Sequence, residues 1–229
     1  MPVILHIETS TDVCSVALTA EGAILKHYEE FKPMSHAVVL SDFIKGCLDH
    51  LADHEMKLDA VAVSIGPGSY TGLRIGLSEA KGLAYALGVP LIGVDTLQLM
   101  AVSVMFNHDV EPEAMFAPMI DARRMEVYTG VYSLALETLM EPRPLILDEN
   151  SYAEWLEKGP VLFFGNGSDK ARDLFSHPNA RFIADIKPLA VDMLALADRD
   201  FRAGRFLDLA YSVPRYLKDF QATRPKKLF

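Results

Sequence analysis

The stretch SIGPGSYTGLRIG, residues 64–76, decides how this chain folds. It follows the apolar run 61–63 and leads into a helix-forming segment that continues to residue 87. A strand therefore ends here, the chain turns on glycine and proline, and a helix begins. In α/β proteins, ligands and partners gather at such junctions, because loop backbone and helix N-terminal N–H groups are exposed there. The glycines predict that another group comes close to this backbone.

Length and composition predict one large or two small domains with a substantial core. The chain has 229 residues, half of them hydrophobic, and a formal net charge of −9. This charge argues against a protein that binds nucleic acid unaided, because such affinity depends on neutralising phosphates with Lys and Arg. The tail 213–229 is instead a basic appendage, with one acid, Asp219, and five basic residues: Arg215, Lys218, Arg224, Lys226 and Lys227. A solvated terminus and a contact with RNA or an acidic partner are both open interpretations of this tail.

The start of the chain has no basic n-region or cleavage site, and the apolar runs are far shorter than a membrane span. We therefore expect a cytoplasmic protein with no membrane partner. Cys14 and Cys47 fit no metal spacing and lie in predicted apolar segments, so we expect them to be core thiols. His50 and His54 are spaced to share a helix face, but at a polar helix end, and we expect no metal there.

The hydrophobic periodicity predicts two similar lobes. Residues 3–31 have the pattern of three strands joined by tight turns, and the order βββαβαβα continues to residue 106. After a polar linker, 107–113, the order repeats more loosely and ends in a helix over 188–202. This duplication is typical of the actin-like (ASKHA, RNase H-like) fold, in which each lobe is a mixed sheet that opens with a β meander and is flanked by helices.

We place the domain boundaries accordingly. The N-terminal lobe is predicted to comprise residues 1–106 together with the C-terminal segment 204–229. Residues 107–203 are predicted to form a second, smaller lobe.

Small residues recur every four positions along the helix that follows the glycine-rich loop: Gly72, Gly76, Ala80, Ala84 and Gly88. On a helix they form one ridge that is almost bare of side chains. Because glycine inside a helix costs about 1 kcal/mol relative to alanine, we expect the ridge to gain a close contact. Either the chain's own sheet or a helix of another chain supplies it. The helix predicted over 36–51 has an apolar face wider than one sheet requires, which favours an interface with another chain.

Signals for nucleotide chemistry are weak. Gly66-Pro67-Gly68 lacks the Gly-Lys-Ser/Thr ending of a phosphate loop. Weak candidates for a degenerate nucleotide site occur at a turn between two strands and at a glycine pair before a helix: Glu8, Thr9, Ser10, Gly165 and Gly167. The charged turn 121–128 is either a solvated hairpin tip or a place where Arg123 and Arg124 face a phosphate or a partner's carboxylate.

The sequence resembles the bacterial TsaB (YeaZ) family over essentially its whole length. The most specific motif is the stretch 64–76, and it continues through AKGLA at 80–84 and PLIGVDTL at 90–97. Further matches are IETS at 7–10, DAR at 121–123, EVY at 126–128 and PRYL at 214–217. The resemblance implies an actin-like fold and a role in forming N6-threonylcarbamoyladenosine (t6A) at position 37 of ANN-decoding tRNAs.

The resemblance also implies partners. In that family the protein is a non-catalytic activator of its paralogue TsaD, which carries the catalytic metal, and the P-loop ATPase TsaE joins the pair. The chain alone is expected to bind no cofactor and no metal, with ATP or ADP present only in the assembled complex and tRNA reached through it. The family contact is a bundle of the first two helices, 36–51 and 71–87 here, and a homodimer through the same surface is expected to compete with it. The residues predicted to lie at this partner interface are Val39, Leu40, Phe43, Ile44, Cys47, Gly72, Leu73, Ile75, Gly76, Glu79, Ala80, Leu83 and Ala84.

The paralogue's metal motif does not carry over. Its His-x-x-x-His pair matches Asp95 and Leu99 here, and its third ligand matches Asp192. Leucine cannot ligate a metal, and the remaining carboxylates are too few for a site with three protein ligands. We therefore predict a scaffold subunit without catalytic residues. The alternatives are a stand-alone kinase or ATPase that uses Glu8 with the glycine pair, and a metallopeptidase, which requires a bound metal.

Overall fold

The first lobe is built on a five-stranded mixed sheet. The computed structural model describes residues 2–218. The sheet order is β3-β2-β1-β4-β5, with β1 (Ile4–Glu8), β2 (Cys14–Ala20), β3 (Ala23–Glu30), β4 (Ala60–Gly66) and β5 (Leu91–Asp95). β1, β2 and β3 form an antiparallel meander, and β4 and β5 run parallel to β1. The central strands β1 and β2 are buried along their whole length because both faces of the sheet are covered, whereas the edge strand β3 is largely exposed.

The second lobe repeats this topology. Its order is β10-β9-β6-β7-β8, with β6 (Met115–Asp121), β7 (Glu126–Tyr132), β8 (Thr138–Ile146), β9 (Val161–Phe164) and β10 (Ala180–Ile183). β8 contains Pro142 and Pro144 and lies at the sheet edge, where a missing N–H leaves no ladder bond unmade. The predicted fold of two similar lobes, each opening with a β meander, is confirmed.

Helices cover the sheets in layers. α1 (His36–Asp53) and α2 (Tyr70–Leu87) pack on one face of the first sheet. α3 (Thr96–Asn107) lies between the two sheets and contributes to the core on both of its sides. The short helices α4 (Ala153–Lys158) and α5 (Asp169–Arg172) cover the outer face of the second sheet. None of the helices within residues 2–218 is long and apolar enough to cross a membrane.

The end of the chain returns to the first lobe. The helix predicted over 188–202 begins instead as a 3₁₀ turn, Ala190–Met193, and continues as α6 (Leu194–Arg202). Met193, Leu196 and Ala197 pack on the first sheet. The 3₁₀ turn and α6 therefore belong with the first lobe, and the second lobe ends before residue 190 instead of at residue 203. Leu207 N donates to Leu91 O at 2.8 Å, which sets the following segment beside β5. The predicted tail residues Arg224, Lys226 and Lys227 lie outside the described residues.

Candidate functional site

Other segments of the same chain pack closely against the backbone of the glycine-rich loop. Ser69 begins α2 by accepting a hydrogen bond from Gly72 N at 3.2 Å. A Cβ added at Gly68 would overlap the carbonyl oxygen of Ser10, and one added at Gly66 would lie 2.7 Å from Arg215 O. The prediction that backbone is approached closely here is correct, and the approaching groups are the β1–β2 turn and the C-terminal segment.

Four of the five small residues on the α2 ridge pack within the first lobe, and the fifth, Gly88, is exposed at the end of the helix. Cβ atoms added at Gly72 and Gly76 would overlap Thr9, whose hydroxyl donates to Gly72 O at 2.8 Å. Ala80 and Ala84 are fully buried in the core of the same lobe. The interpretation of this ridge as a surface open to another chain is therefore wrong. The alternative, close packing on the chain's own sheet, is the arrangement observed.

The thirteen predicted interface residues divide into two sets. Eight are buried within the first lobe: Gly72, Gly76, Ala80 and Ala84 of the ridge, together with Leu40, Ile44, Cys47 and Leu73. These eight residues contribute to the lobe's own core and offer little surface to a partner. The other five keep exposed area along the outer sides of α1 and α2: Val39, Phe43, Ile75, Glu79 and Leu83. Ser41 Oγ donates to Glu79 Oε1 at 3.3 Å, so the two helices meet along this line.

Sequence reasoning missed the most exposed apolar side chains of this face. Val38 on α1 is 75% exposed and Tyr85 on α2 is 80% exposed, and Leu87 follows at the end of α2. Large apolar side chains that cluster on an exposed surface mark an interaction site. Val38 stands next to the predicted Val39, and the excess apolar residues of α1 were the signal that could have identified it. We call the exposed or half-buried residues Val38, Val39, Phe43, Ile75, Glu79, Leu83, Tyr85 and Leu87 the two-helix face.

The second candidate site is the cleft between the lobes, with a cavity of about 530 Å³. Turns from both lobes line it: Ser10, Thr11 and Asp12 after β1, Ser69 to Thr71 at the start of α2, Asp121 to Arg123 after β6, and Asn166 after β9. Arg215, Tyr216, Leu217 and Lys218 form a further wall.

Only one of the five nucleotide-site candidates lines this cavity, namely Ser10. Glu8 is fully buried, and one of its oxygens accepts from Ser10 N at 2.5 Å, so it closes the β1–β2 turn. Burial raises the pKa of Glu8 to about 7, partly opposed by hydrogen bonds from Ser10, Ser64 and Thr9. Glu8 therefore does not line the cavity, and its second carboxyl oxygen is buried without a hydrogen-bond partner among the described residues.

The glycine pair after β9 also serves packing. A Cβ at Gly165 would overlap the Met100 side chain and lie 2.5 Å from Met119 O, and Gly165 has φ +95. A Cβ at Gly167 would lie 2.9 Å from Val127 and 3.1 Å from Asp121 N. These glycines let their turn sit tightly on β6 and β7, so their presence does not by itself indicate a phosphate loop.

The charged hairpin between β6 and β7 faces the cleft. Arg123 and Arg124 at its tip both have positive φ, 71 and 50, and both are exposed. Lys170 Nζ pairs with Asp121 at 2.6 Å and donates to Glu126 O at 3.0 Å. The interpretation as a solvated tip and the one as an anion contact are both compatible with this geometry.

The positions that match the paralogue's metal motif are otherwise engaged. Asp95 Oδ1 caps α3 by accepting from Leu97 N and Gln98 N, and Oδ2 pairs with Arg215 at 3.1 Å. Burial raises the pKa of Asp95, and the nearby Arg215 acts in the opposite direction. Leu99 is fully buried in α3.

Asp192 does not complete a metal site. Burial raises its pKa to about 6, opposed by a hydrogen bond with Ser103. Within residues 2–218, His, Cys, Asp and Glu side chains form no group of three that could hold a metal ion. The rings of His50 and His54 are tilted by 34° with 4.2 Å between their centroids, and His54 Nδ1 lies 2.8 Å from the His50 carbonyl oxygen.

Known proteins resemble this chain over most of its length. A family model described as "TsaD: tRNA N6-adenosine threonylcarbamoyltransferase" matches residues 30–225. The tRNA threonylcarbamoyladenosine biosynthesis protein TsaB of Escherichia coli is 31% identical over 94% of each chain. The protein of the same name from Bacillus subtilis is 34% identical over 71% of this chain and 70% of its own.

A solved structure agrees with these relatives. YeaZ from Pseudomonas aeruginosa superimposes with a TM-score of 0.78 at 29% identity, covering 95% of this chain and all of that one. Its likeness extends over both sheets and confirms the two-lobed, actin-like architecture. The chain therefore belongs to the TsaB (YeaZ) family, within the wider family that the TsaD model describes.

Proposed function

We propose that this protein is a supporting subunit, without chemistry of its own, in the formation of t6A on tRNA. The family membership supports a role in t6A formation, because the relatives are named for threonylcarbamoyladenosine biosynthesis. The observation that best supports a role without chemistry is that the residues at the metal-motif positions are not available to bind a metal. Leu99 is buried and apolar, and both oxygens of Asp95 are already used by a helix cap and by Arg215.

The proposed docking surface is the two-helix face. Its apolar members Val38, Tyr85 and Leu87 are exposed, and Phe43 and Leu83 are half-buried. Gly82, on the same helix as Leu83, has no atom within 4 Å of an added Cβ, so a partner's backbone can approach there. The proposed occupant is the TsaD subunit. A second copy of this chain would compete for the same residues when TsaD is absent.

The remaining assignments follow from this one. TsaE is proposed to join after TsaD has docked, and tRNA is proposed to reach the assembly rather than this acidic chain alone. ATP or ADP is proposed to bind only in the assembled complex.

Co-purification with TsaD of the same organism tests the docking surface. We expect Leu83→Arg to reduce the recovered TsaD at least tenfold, because a guanidinium would replace an apolar side chain of this face. Ala153→Arg is the matched control, since Ala153 is exposed on α4 of the other lobe. Recovery of TsaD with Leu83→Arg at the level of the control would rule out this surface.

One observation favours a second function. The cleft has the volume to admit a nucleotide and is lined by turns of both lobes. A stand-alone ATPase would bind ATP and Mg²⁺ there and hydrolyse it. Calorimetric titration of the isolated chain separates the two functions: tight binding with turnover supports the ATPase, and its absence supports the supporting subunit.

A further inference from the structure

The C-terminal strap, which we define as residues 205–218, is fixed along the first lobe. Beyond the bond from Leu207 N to the edge strand β5, Lys81 Nζ on α2 donates to the carbonyls of Ala210 at 3.2 Å and Ser212 at 3.0 Å. Leu207 and Leu209 pack against the core under α1 and α2. The body of the strap is therefore part of the first lobe.

The strap then crosses the glycine-rich loop. Arg215 N donates to Ile65 O at 2.6 Å, and the Arg215 side chain pairs with Asp95 at 3.1 Å. The next residue, Tyr216, stacks on Tyr70 with 4.9 Å between ring centroids and accepts from Arg74 Nε at 2.8 Å. Backbone, charge and ring contacts thus hold two consecutive strap residues at the mouth of the cleft.

The end of the strap reaches the second lobe. Lys218 Nζ lies 2.6 Å from Glu126 Oε2, at the first residue of β7. The Glu126 side chain is 18% exposed and the Lys218 side chain 37%. An ion pair at this exposure is reversible, because water screens it and the lysine loses rotamer freedom on pairing.

We propose that the strap is a clasp that sets how far the cleft opens. The first lobe holds its body, and the Lys218–Glu126 pair ties its end to the hairpin of the second lobe. Away from the strap, the lobes share apolar contacts through α3 and through Leu136, which packs against both cores. The clasp is a property of the isolated chain and does not depend on the proposed docking surface.

Pulsed electron paramagnetic resonance on the isolated full chain tests the clasp. Spin labels are attached at Ala52→Cys in the first lobe and Ser176→Cys in the second, both exposed, while Cys14 and Cys47 are fully buried and stay unlabelled. Excess unlabelled chain removes distances between molecules. Lys218→Glu is expected to raise the population of longer distances about fivefold, because repulsion from Glu126 replaces a screened attraction.

Two further variants make the result specific. The swapped pair Lys218→Glu/Glu126→Lys is expected to restore the wild-type distances. Lys158→Glu, which breaks an exposed pair with Glu154 on α4, is the control for the charge change and is expected to leave the distances unaltered.

Unchanged distances in Lys218→Glu would overturn the clasp, as would a change that the swapped pair fails to reverse. If Lys218→Glu does not fold, Lys218→Gln takes its place, since it removes the attraction without adding repulsion. Wild-type distances in that folded variant would overturn the proposal equally.

Discussion

Asp95 and Arg215 form an ion pair, with 3.1 Å between Oδ2 and Nη1, although 120 residues separate them in the chain. The Asp95 side chain is 14% exposed, and its second oxygen caps α3. The pair therefore joins the strap to the helix that lies between the lobes. In this chain the guanidinium of Arg215 lies against the carboxylate at this position.

Removing that guanidinium should destabilise the fold in a pH-dependent way. Arg215→Met is expected to lower the free energy of unfolding by about 1–3 kcal/mol, because a buried carboxylate loses its charged partner. Burial raises the folded-state pKa of Asp95, and losing Arg215 raises it further. A raised folded-state pKa means that stability is lost as pH rises, so the deficit should be larger at neutral pH than in acid.

Urea unfolding in acid and at neutral pH measures this effect. Arg181→Met is the matched control, because Arg181 and Glu111 form a pair in which both side chains are about half exposed, 50% and 48%. Its expected cost is below about 1 kcal/mol. Equal costs for the two variants would contradict the importance of the Asp95 pair.

Two glycines of α2 should respond oppositely to the same substitution. Gly76→Ala is expected to cost about 1–3 kcal/mol, because the new methyl group would overlap the Thr9 hydroxyl. Gly82→Ala meets no atom within 4 Å and is expected to stabilise the helix by up to about 1 kcal/mol. Thermal or urea unfolding of both variants checks the prediction, and a neutral Gly76→Ala would mean that the ridge does not pack on the sheet.

Glu8 should make the protein less stable as pH rises. Its pKa is raised from 4.5 to about 7 in the folded state, so the unfolded chain releases this proton first. Between about pH 4.5 and 7 the contribution of Glu8 should fall by about 3 kcal/mol, the value of the pKa difference in free energy. Glu8→Gln keeps an acceptor for Ser10 N and cannot ionise. The wild-type stability minus that of Glu8→Gln should decline across this range, and a flat difference would contradict the raised pKa.

Both thiols should be unreactive in the folded protein. Burial raises the pKa of Cys14 to about 12 and that of Cys47 to about 11. Thiolate is the reactive form, so a thiol reagent at mildly alkaline pH should label neither residue until the chain unfolds. Titration with an aromatic disulfide, with and without denaturant, measures this. Rapid labelling of native protein would indicate local opening of the first lobe.

The spacing of apolar residues predicted the helices and strands well, because this spacing and the capping residues lie within each segment itself. The helix predicted to continue to residue 87 matches the end of α2, and Ser69 caps the start of that helix. The continuous helix over 188–202 was wrong in its first turn, where Ala190 N donates to the Ser15 hydroxyl at 2.9 Å instead of joining a helical ladder. No local pattern reveals a bond to a residue so distant in sequence.

The direction in which α2 packs could not be predicted from its own sequence. A ridge of small residues fits a sheet and a foreign helix equally well, and the choice depends on Thr9, which stands at the end of another strand. The strap was missed for a similar reason. Lys218 appears in the sequence as one charge of a basic tail, and only the folded chain brings it to Glu126.

Helix α3 has a consequence for how the protein unfolds. Leu99 and Val102 belong to the core of the first lobe, while Leu97, Met100 and Val104 belong to the core of the second. A chain severed in the linker after α3 would leave the inner face of the second sheet without its cover. We therefore expect the two lobes, although built on the same plan, to unfold as a single cooperative unit.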